Sequence, residues 1–245
     1  MTEFMNLNSL HLNYLGPLLK WRVMDLESLR RECFRIPKYH NFYRVIRSLE
    51  KRKVLEGYRD PFSRKKFVYL SSLGEAQLSI RENSNALSRE TLIHDIKVSE
   101  IVRALLDSGL IENAELEHQI HDKRTSRNDF EITPDAVLYY EKDGKKIKVA
   151  LELELTRKNN QRITEKARQY LYNSFYQNVI YIFPQKELMK KYQEVMLNKL
   201  GDDVFKRLHF FYHPELTFKP YKFDAIMGEI EKNEMSLKDF LGPGK

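Results

Sequence analysis

The sequence predicts an α+β chain of two domains: a basic, mostly helical domain ending in a β-hairpin, then a larger α/β domain with a mixed central sheet. Three observations predict it. Periodic segments run helix, helix, helix, hairpin before residue 80, and alternate between helices and strands after residue 89. A polar stretch, "IRENSNALS" at 80–88, lies between them. The charge is unevenly divided: residues 1–90 hold 17 Lys and Arg against 10 Asp and Glu, which accounts for the whole net charge of +7. The expected domains are 1–80, a linker over 81–88, and 89–245.

In the first domain, residues 10–24 read as a helix with Leu15, Leu18, Leu19 and Trp21 as core. Asp25 is placed to cap a second helix, "LESLRRECF". Ile36-Pro37 breaks the chain, because the residue before proline avoids the α region. A third helix, "KYHNFYRVIRSLEKRKVL", buries Phe42, Ile46 and Leu49 at i, i+4 and i+7. Arg44, Arg47 and Lys51 share another face, and Lys38, His40 and Asn41 lie at its leading end. Then "EGYRDPFSRKKFVYLSSLGEAQL" offers two short strands around a turn with Asp60-Pro61 and the run Arg64, Lys65, Lys66. This succession resembles the winged-helix family. The resemblance implies that the third helix enters a DNA major groove and that the basic hairpin tip lies against phosphates. Double-stranded DNA is the partner it implies; a winged helix used only for protein contacts is the alternative.

In the second domain a helix over 89–108 aligns His94, Val98, Ile101 and Leu105. A strand near 114–120 and a charged loop, "HDKRTSRND", follow. After a hairpin at 132–156, a helix over 160–177 buries Ile163, Ala167, Tyr170, Leu171 and Phe175. "NVIYIFP" reads as a buried strand, then a helix near 186–199, the strand "LHFFYH" and a last helix. The alternation implies parallel βαβ crossovers within a mixed sheet.

The hairpin "ITPDAVLYYEKDGKKIKVALELELT" carries three carboxylates: Asp135, Glu152 and Glu154. Asp143-Gly144 is a strong turn signal, and a two-residue turn there pairs residues whose numbers sum to 287. Asp135 then faces Glu152, and Glu154 projects from the same face. Ala136, Leu138 and Tyr140 with Ile147, Val149 and Leu151 form the opposite, core face. Opposed Cβ atoms lie about 5 Å apart, where two charges repel by roughly 3 kcal/mol at an effective dielectric near 20. A raised pKa, a nearby Lys or Arg, a bound divalent cation, or screening at an exposed hairpin end would each relieve this.

The leading helix, Pro134-Asp135, a second hairpin strand with Glu152, and the helix and strand that follow resemble the PD-(D/E)XK nuclease fold. That resemblance implies Mg²⁺ or Mn²⁺ held by Asp135 and Glu152, activating water and neutralising the scissile phosphate. In that family a lysine stands two residues after the glutamate; here Glu154 occupies its place, as a third metal ligand or orienting carboxylate. Lys166, beside core position Ala167, is the first candidate to supply the missing cation, and Lys158 the second. His94, on the leading helix, joins the candidate catalytic group. Together with "LIHDIKVSE", "PDA" and "LELELT", the chain resembles the replication-relaxation proteins of plasmids and related mobile elements, in which the lysine's place is commonly acidic. This implies a role in replication, copy control or mobilisation, with replication or mobilisation proteins and a second copy of the chain as further partners. Two functions follow: a metal-dependent DNA-nicking enzyme, or a non-enzymatic DNA-binding regulator whose nuclease-like domain serves dimerisation or docking.

Other chemistries are poorly supported. Cys33 is the single cysteine, which excludes an internal disulfide and a cysteine-rich zinc site. It falls within the first domain's core pattern, against a thiol nucleophile. No glycine-rich phosphate loop is present, and His118 and His121 read as surface residues rather than a zinc pair. Neither a signal-peptide stretch nor an apolar run of membrane-spanning length occurs, so a cytoplasmic protein with no membrane partner is expected.

Overall fold

In the computed structural model, Asn8 starts the first helix by accepting a hydrogen bond from the His11 N–H, 3.0 Å away. The structure describes residues 7–78, 87, 89–120, 132–142, 144–230 and 233–242. Helix α1 (Ser9–Trp21) buries Tyr14, Leu15, Leu18 and Trp21. Leu19 is 44% exposed rather than core, because the buried stripe is centred on Tyr14, Leu18 and Trp21, with Leu15 at its edge and Leu19 beyond it. The helix stops at Trp21: Arg22 takes φ 58° and the chain enters strand β1 (Val23–Asp25). The sequence does not predict this strand, since three residues are too few to show a period. Asp25 caps α2 (Leu26–Glu32) as expected, accepting from the Ser28 N–H at 3.1 Å.

Helix α3 (Tyr39–Lys51) buries Phe42, Ile46 and Leu49 completely. It ends before Val54 and Leu55, and Lys53, at φ 56°, turns the chain into β2 (Leu55–Arg59). Strand β3 (Lys66–Leu70) lies antiparallel to both β2 and β1, giving the order β1-β3-β2. The β2–β3 turn is built on buried Asp60, whose carboxylate accepts from the Phe62 N–H, the Ser63 N–H and the Ser63 hydroxyl. Ser71 caps α4 (Ser72–Gln77). There Gly74 is required sterically, as a Cβ would meet the Val54 carbonyl oxygen at 2.2 Å.

Helix α5 (Arg89–Asp107) follows, and the chain divides inside it into two compact units, Met1–Ser99 and Glu100–Lys245. Leu92 and Ile96 pack with Val23 and Phe67 of the first unit. Except for Leu87, the expected linker at 81–88 lies outside the described residues.

The second unit is a seven-stranded mixed sheet. Strands β4 (Asn113–Leu116), β5 (Ala136–Lys142) and β6 (Lys145–Leu153) are antiparallel neighbours. Helix α6 (Asn160–Tyr172) crosses to β7 (Asn178–Phe183), parallel to β6. Helix α7 (Lys186–Leu200) crosses to β8 (Leu208–Tyr212), parallel to β7. A hairpin the sequence reading lacks, β9 (Met227–Ile230) with β10 (Asn233–Ser236), extends the sheet before α8 (Leu237–Leu241). The order is β10-β9-β8-β7-β6-β5-β4.

The hairpin register runs from Ala136 opposite Leu151 to Lys142 opposite Lys145, as the turn implied. Asp143 and the loop 121–129, with His121, lie outside the described residues; Gly144 has φ 73°. The expectation of a single core face needs correction. Val137 and Ala150, on the face that bears Glu152, are as buried as Ala136 and Leu151, because Ile163 and Ala167 of α6 pack over them. Helix α6 also ends at Tyr172 rather than 177, where Asn173 turns extended, so Phe175 is 38% exposed instead of core.

Candidate functional site

Four of the sequence-predicted residues come together where β5 begins and β6 ends beneath α6. Asp135 stands one residue before β5, opposite Glu152, by continuation of the ladder. Its Oδ2 accepts the Leu153 N–H at 2.7 Å, so the carboxylate also terminates the edge of β6. Glu152 is fully buried and both its oxygens are engaged. Oε2 takes a hydrogen bond from the Lys166 ammonium, and Oε1 takes one from the Tyr170 hydroxyl. One turn of α6 separates Lys166 from Tyr170, so both reach down from one helical face. Glu154 is also buried; its Oε1 lies 3.8 Å from Lys166 Nζ and its Oε2 accepts from the Tyr192 hydroxyl at 3.0 Å. Tyr192 in turn accepts the Lys158 N–H at 3.2 Å, so Lys158 enters the cluster through its backbone.

The charge state follows from this packing. Burial pushes the Glu152 carboxyl up to about 8; Lys166 pulls it down and Asp135 pushes it further up. Burial works to strip the Lys166 proton, but Glu152, Asp135 and Glu154 outweigh it and hold the ammonium firmly charged. Burial and the neighbouring Glu152 raise the Tyr170 and Tyr181 phenols well above their ordinary value, so both keep their protons. An ammonium cannot accept a hydrogen bond, so a proton on Glu152 belongs on Oε1, where the Tyr170 hydroxyl can turn to receive it.

Tyr181 lies beside Glu152 in the parallel β6–β7 register, and its buried hydroxyl has no hydrogen-bond partner among the described residues. It borders a cavity of about 10 Å³ shared with Glu154, Lys166 and Tyr192, room for a single water. Tyr170, Tyr181 and Tyr192 were not singled out by the sequence as site residues. Only Tyr170 carried a usable signal, its spacing of four from Lys166.

The described side chains do not fit a divalent ion. Mg²⁺ needs free carboxylate oxygens in near-octahedral array and keeps several waters. Here both Glu152 oxygens already accept from Lys166 and Tyr170, and the ammonium lies between Glu152 and Glu154. Among the described residues, no group of three or more His, Cys, Asp and Glu side chains is placed to hold a metal.

The remaining candidates are elsewhere. His94 belongs to the first unit, half-buried, its Nδ1 3.4 Å from Asp95. His118 is half-buried at the end of the β4 segment. Cys33 is buried, its Sγ 3.3 Å from the Leu29 carbonyl, and burial raises the thiol to about 11, so it is no nucleophile.

On the first unit, Lys38, at the N-cap of α3, and His40, Asn41, Arg44, Arg47 and Lys51 on the helix are all exposed, outside its buried stripe. In the β2–β3 turn Arg64 is exposed and Lys65 half-buried. Lys66 differs: its ammonium bridges both Glu50 oxygens, at 2.6 and 2.7 Å.

No family model matches the chain, and no curated protein matches it. Among solved structures it is similar to the restriction endonuclease FokI bound to DNA, at 11% identity and a TM-score of 0.25. The match covers 89% of this chain and 46% of that one, so the chain spans under half of FokI's length. At that TM-score the likeness does not establish a shared fold. No helix among the described residues is long and apolar enough to cross a membrane.

Proposed function

We propose that the chain is a DNA-binding regulator of a plasmid or mobile element, with a winged-helix first unit and a nuclease-type second unit that does not cut. The observation that carries DNA binding is the two-sidedness of α3: Phe42, Ile46 and Leu49 are fully buried, while Lys38, Arg44, Arg47 and Lys51 all face outward. The order α1, β1, α2, α3, β2, β3 supports a winged helix, with α3 in the major groove and the β2–β3 turn as the wing. In the second unit Lys166 neutralises Glu152 where a metal would stand in a nuclease, and the adjoining cavity admits water but no phosphodiester. That sheet then serves docking or dimerisation within replication, copy control or mobilisation.

Fluorescence anisotropy with a labelled random-sequence duplex tests the first unit. Binding should weaken steeply with salt, and Arg44→Ala/Arg47→Ala/Lys51→Ala should lower affinity and flatten the salt dependence. Affinity and salt slope unchanged in that variant would remove α3 from the interface. The nicking reading keeps one observation in its favour, the convergence of Asp135, Glu152, Glu154 and Lys166. Mg²⁺-dependent nicking of supercoiled plasmid, lost in Glu152→Gln, would establish it and overturn the non-cutting proposal.

A further inference from the structure

Tyr39, Tyr43 and Arg47 form one row along α3 at i, i+4 and i+8, flanking its buried stripe, with Tyr43 half-buried. The two tyrosine rings stack, with centroids 5.7 Å apart and planes 20° from parallel. The guanidinium carbon of Arg47 lies 4.9 Å from the Tyr43 ring centroid. Tyr39 is 57% exposed and Arg47 is exposed, so the row ends in a braced cation at the surface.

Other basic groups of this unit are committed elsewhere. Arg30 is tied to Glu27 and the Pro37 carbonyl, Arg22 to Asp95, and Lys66 to Glu50. Arg47 makes no hydrogen bond among the described residues, so its contact with the Tyr43 ring restrains the guanidinium without using its donors. Such restraint has little value against a phosphate, whose oxygens accept from many directions. It has much value against a base edge: guanine O6 and N7 form a planar pair of acceptors that matches the guanidinium fork. Stacking also removes rotameric freedom that binding would otherwise have to freeze.

We infer that Arg47, positioned by Tyr43, is the base-reading residue of α3 and that it takes the major-groove edge of a guanine. This rests on the proposal that the first unit binds duplex DNA. Arg44 and Lys51, with no aromatic brace, then contact the backbone.

The test is selection of a randomised duplex pool by the full chain, in parallel with Arg47→Lys, Tyr43→Leu and Tyr43→Phe. The wild-type pool should enrich a guanine at one position that the Arg47→Lys pool enriches far less, since lysine lacks the planar fork, while other enriched positions persist. Because Arg47→Lys keeps the charge, its salt slope should match the wild type. Replacing that guanine by 7-deazaguanine, which lacks N7, should weaken wild-type binding by about 10-fold or more and the Arg47→Lys variant by less than about 2-fold. Tyr43→Leu should lose part of the guanine preference and Tyr43→Phe should keep it, since the ring and not the hydroxyl braces Arg47. A guanine enriched as strongly in the Arg47→Lys pool as in the wild-type pool, or no guanine enriched at all, would overturn the assignment while leaving duplex binding intact. Failure of the wild type to retain any duplex would remove the DNA-binding proposal itself.

Discussion

At the scale of single residues, the arrangement turns on how three carboxyls share one half-buried cation. Lys166 is the counter-charge for fully buried Glu152 and stands 3.8 Å from Glu154. Above about pH 8, where Glu152 is ionised, breaking the pair from one side leaves a charge that neither water nor protein compensates, so Lys166→Met should there destabilise the chain by about 3 kcal/mol in urea titration. A loss below about 0.5 kcal/mol, the range of ordinary surface changes, would show that Lys166 is not the counter-charge. Glu152 also carries a pH signature. Its folded pKa, about 8, is raised above the ordinary 4.5, so between these values the folded chain binds a proton that the unfolded chain does not. The stability it contributes is fully present below about 4.5 and is lost as pH rises through about 8. The stability of the wild type relative to Glu152→Gln should therefore fall as pH rises through that window. A constant difference would contradict the assignment. Much of this cluster was legible in the sequence. The Asp143-Gly144 turn implies Asp135 against Glu152, whereas Lys166 stands out only as a neighbour of core Ala167, a position an ordinary surface lysine would share. Tyr192 was not legible: it reaches Glu154 from 38 positions along the chain, and no local pattern encodes that meeting.

At the scale of elements, strong periods were readable and short or doubly covered segments were not. The stripe Phe42, Ile46, Leu49 is buried as its spacing required, and the crossovers through α6 and α7 are parallel. Strand β1 leaves no mark in the sequence because Val23, Met24 and Asp25 form a strand only by pairing with β3, a tertiary cause. The hairpin was read as one-sided although α6 covers its second face, where Val137 and Ala150 are small or apolar enough to take the helix. The β2–β3 turn yields a distinction the sequence run Arg64, Lys65, Lys66 did not. Arg64 is exposed, whereas Lys66 is held by Glu50. Arg64→Ala should lower the slope of log affinity against log salt by about 1, one phosphate contact, and Lys66→Ala should leave it nearly unchanged. Equal effects from both substitutions would show that Lys66 leaves Glu50 on binding DNA.

At the scale of the whole molecule, the first unit offers a charged outward helix face and the second an internally neutralised carboxylate cluster. The entire +7 excess resides in residues 1–90, so affinity for a polyanion is concentrated there. If the second unit is a module that does not cut, DNA binding needs no metal and no metal stabilises the fold. The most direct measurement is the melting temperature with and without millimolar Mg²⁺ or Mn²⁺. An ion that binds only the folded chain at about 100 times its Kd adds roughly 2.7 kcal/mol, which raises Tm by roughly 5–10 °C for a chain of this size. With Lys166 between the carboxylates, the expected Tm stays within about 1 °C of the metal-free value, well below that rise. A rise of several degrees that Asp135→Asn or Glu152→Gln abolishes would contradict it, and would show that Lys166 gives way to a metal.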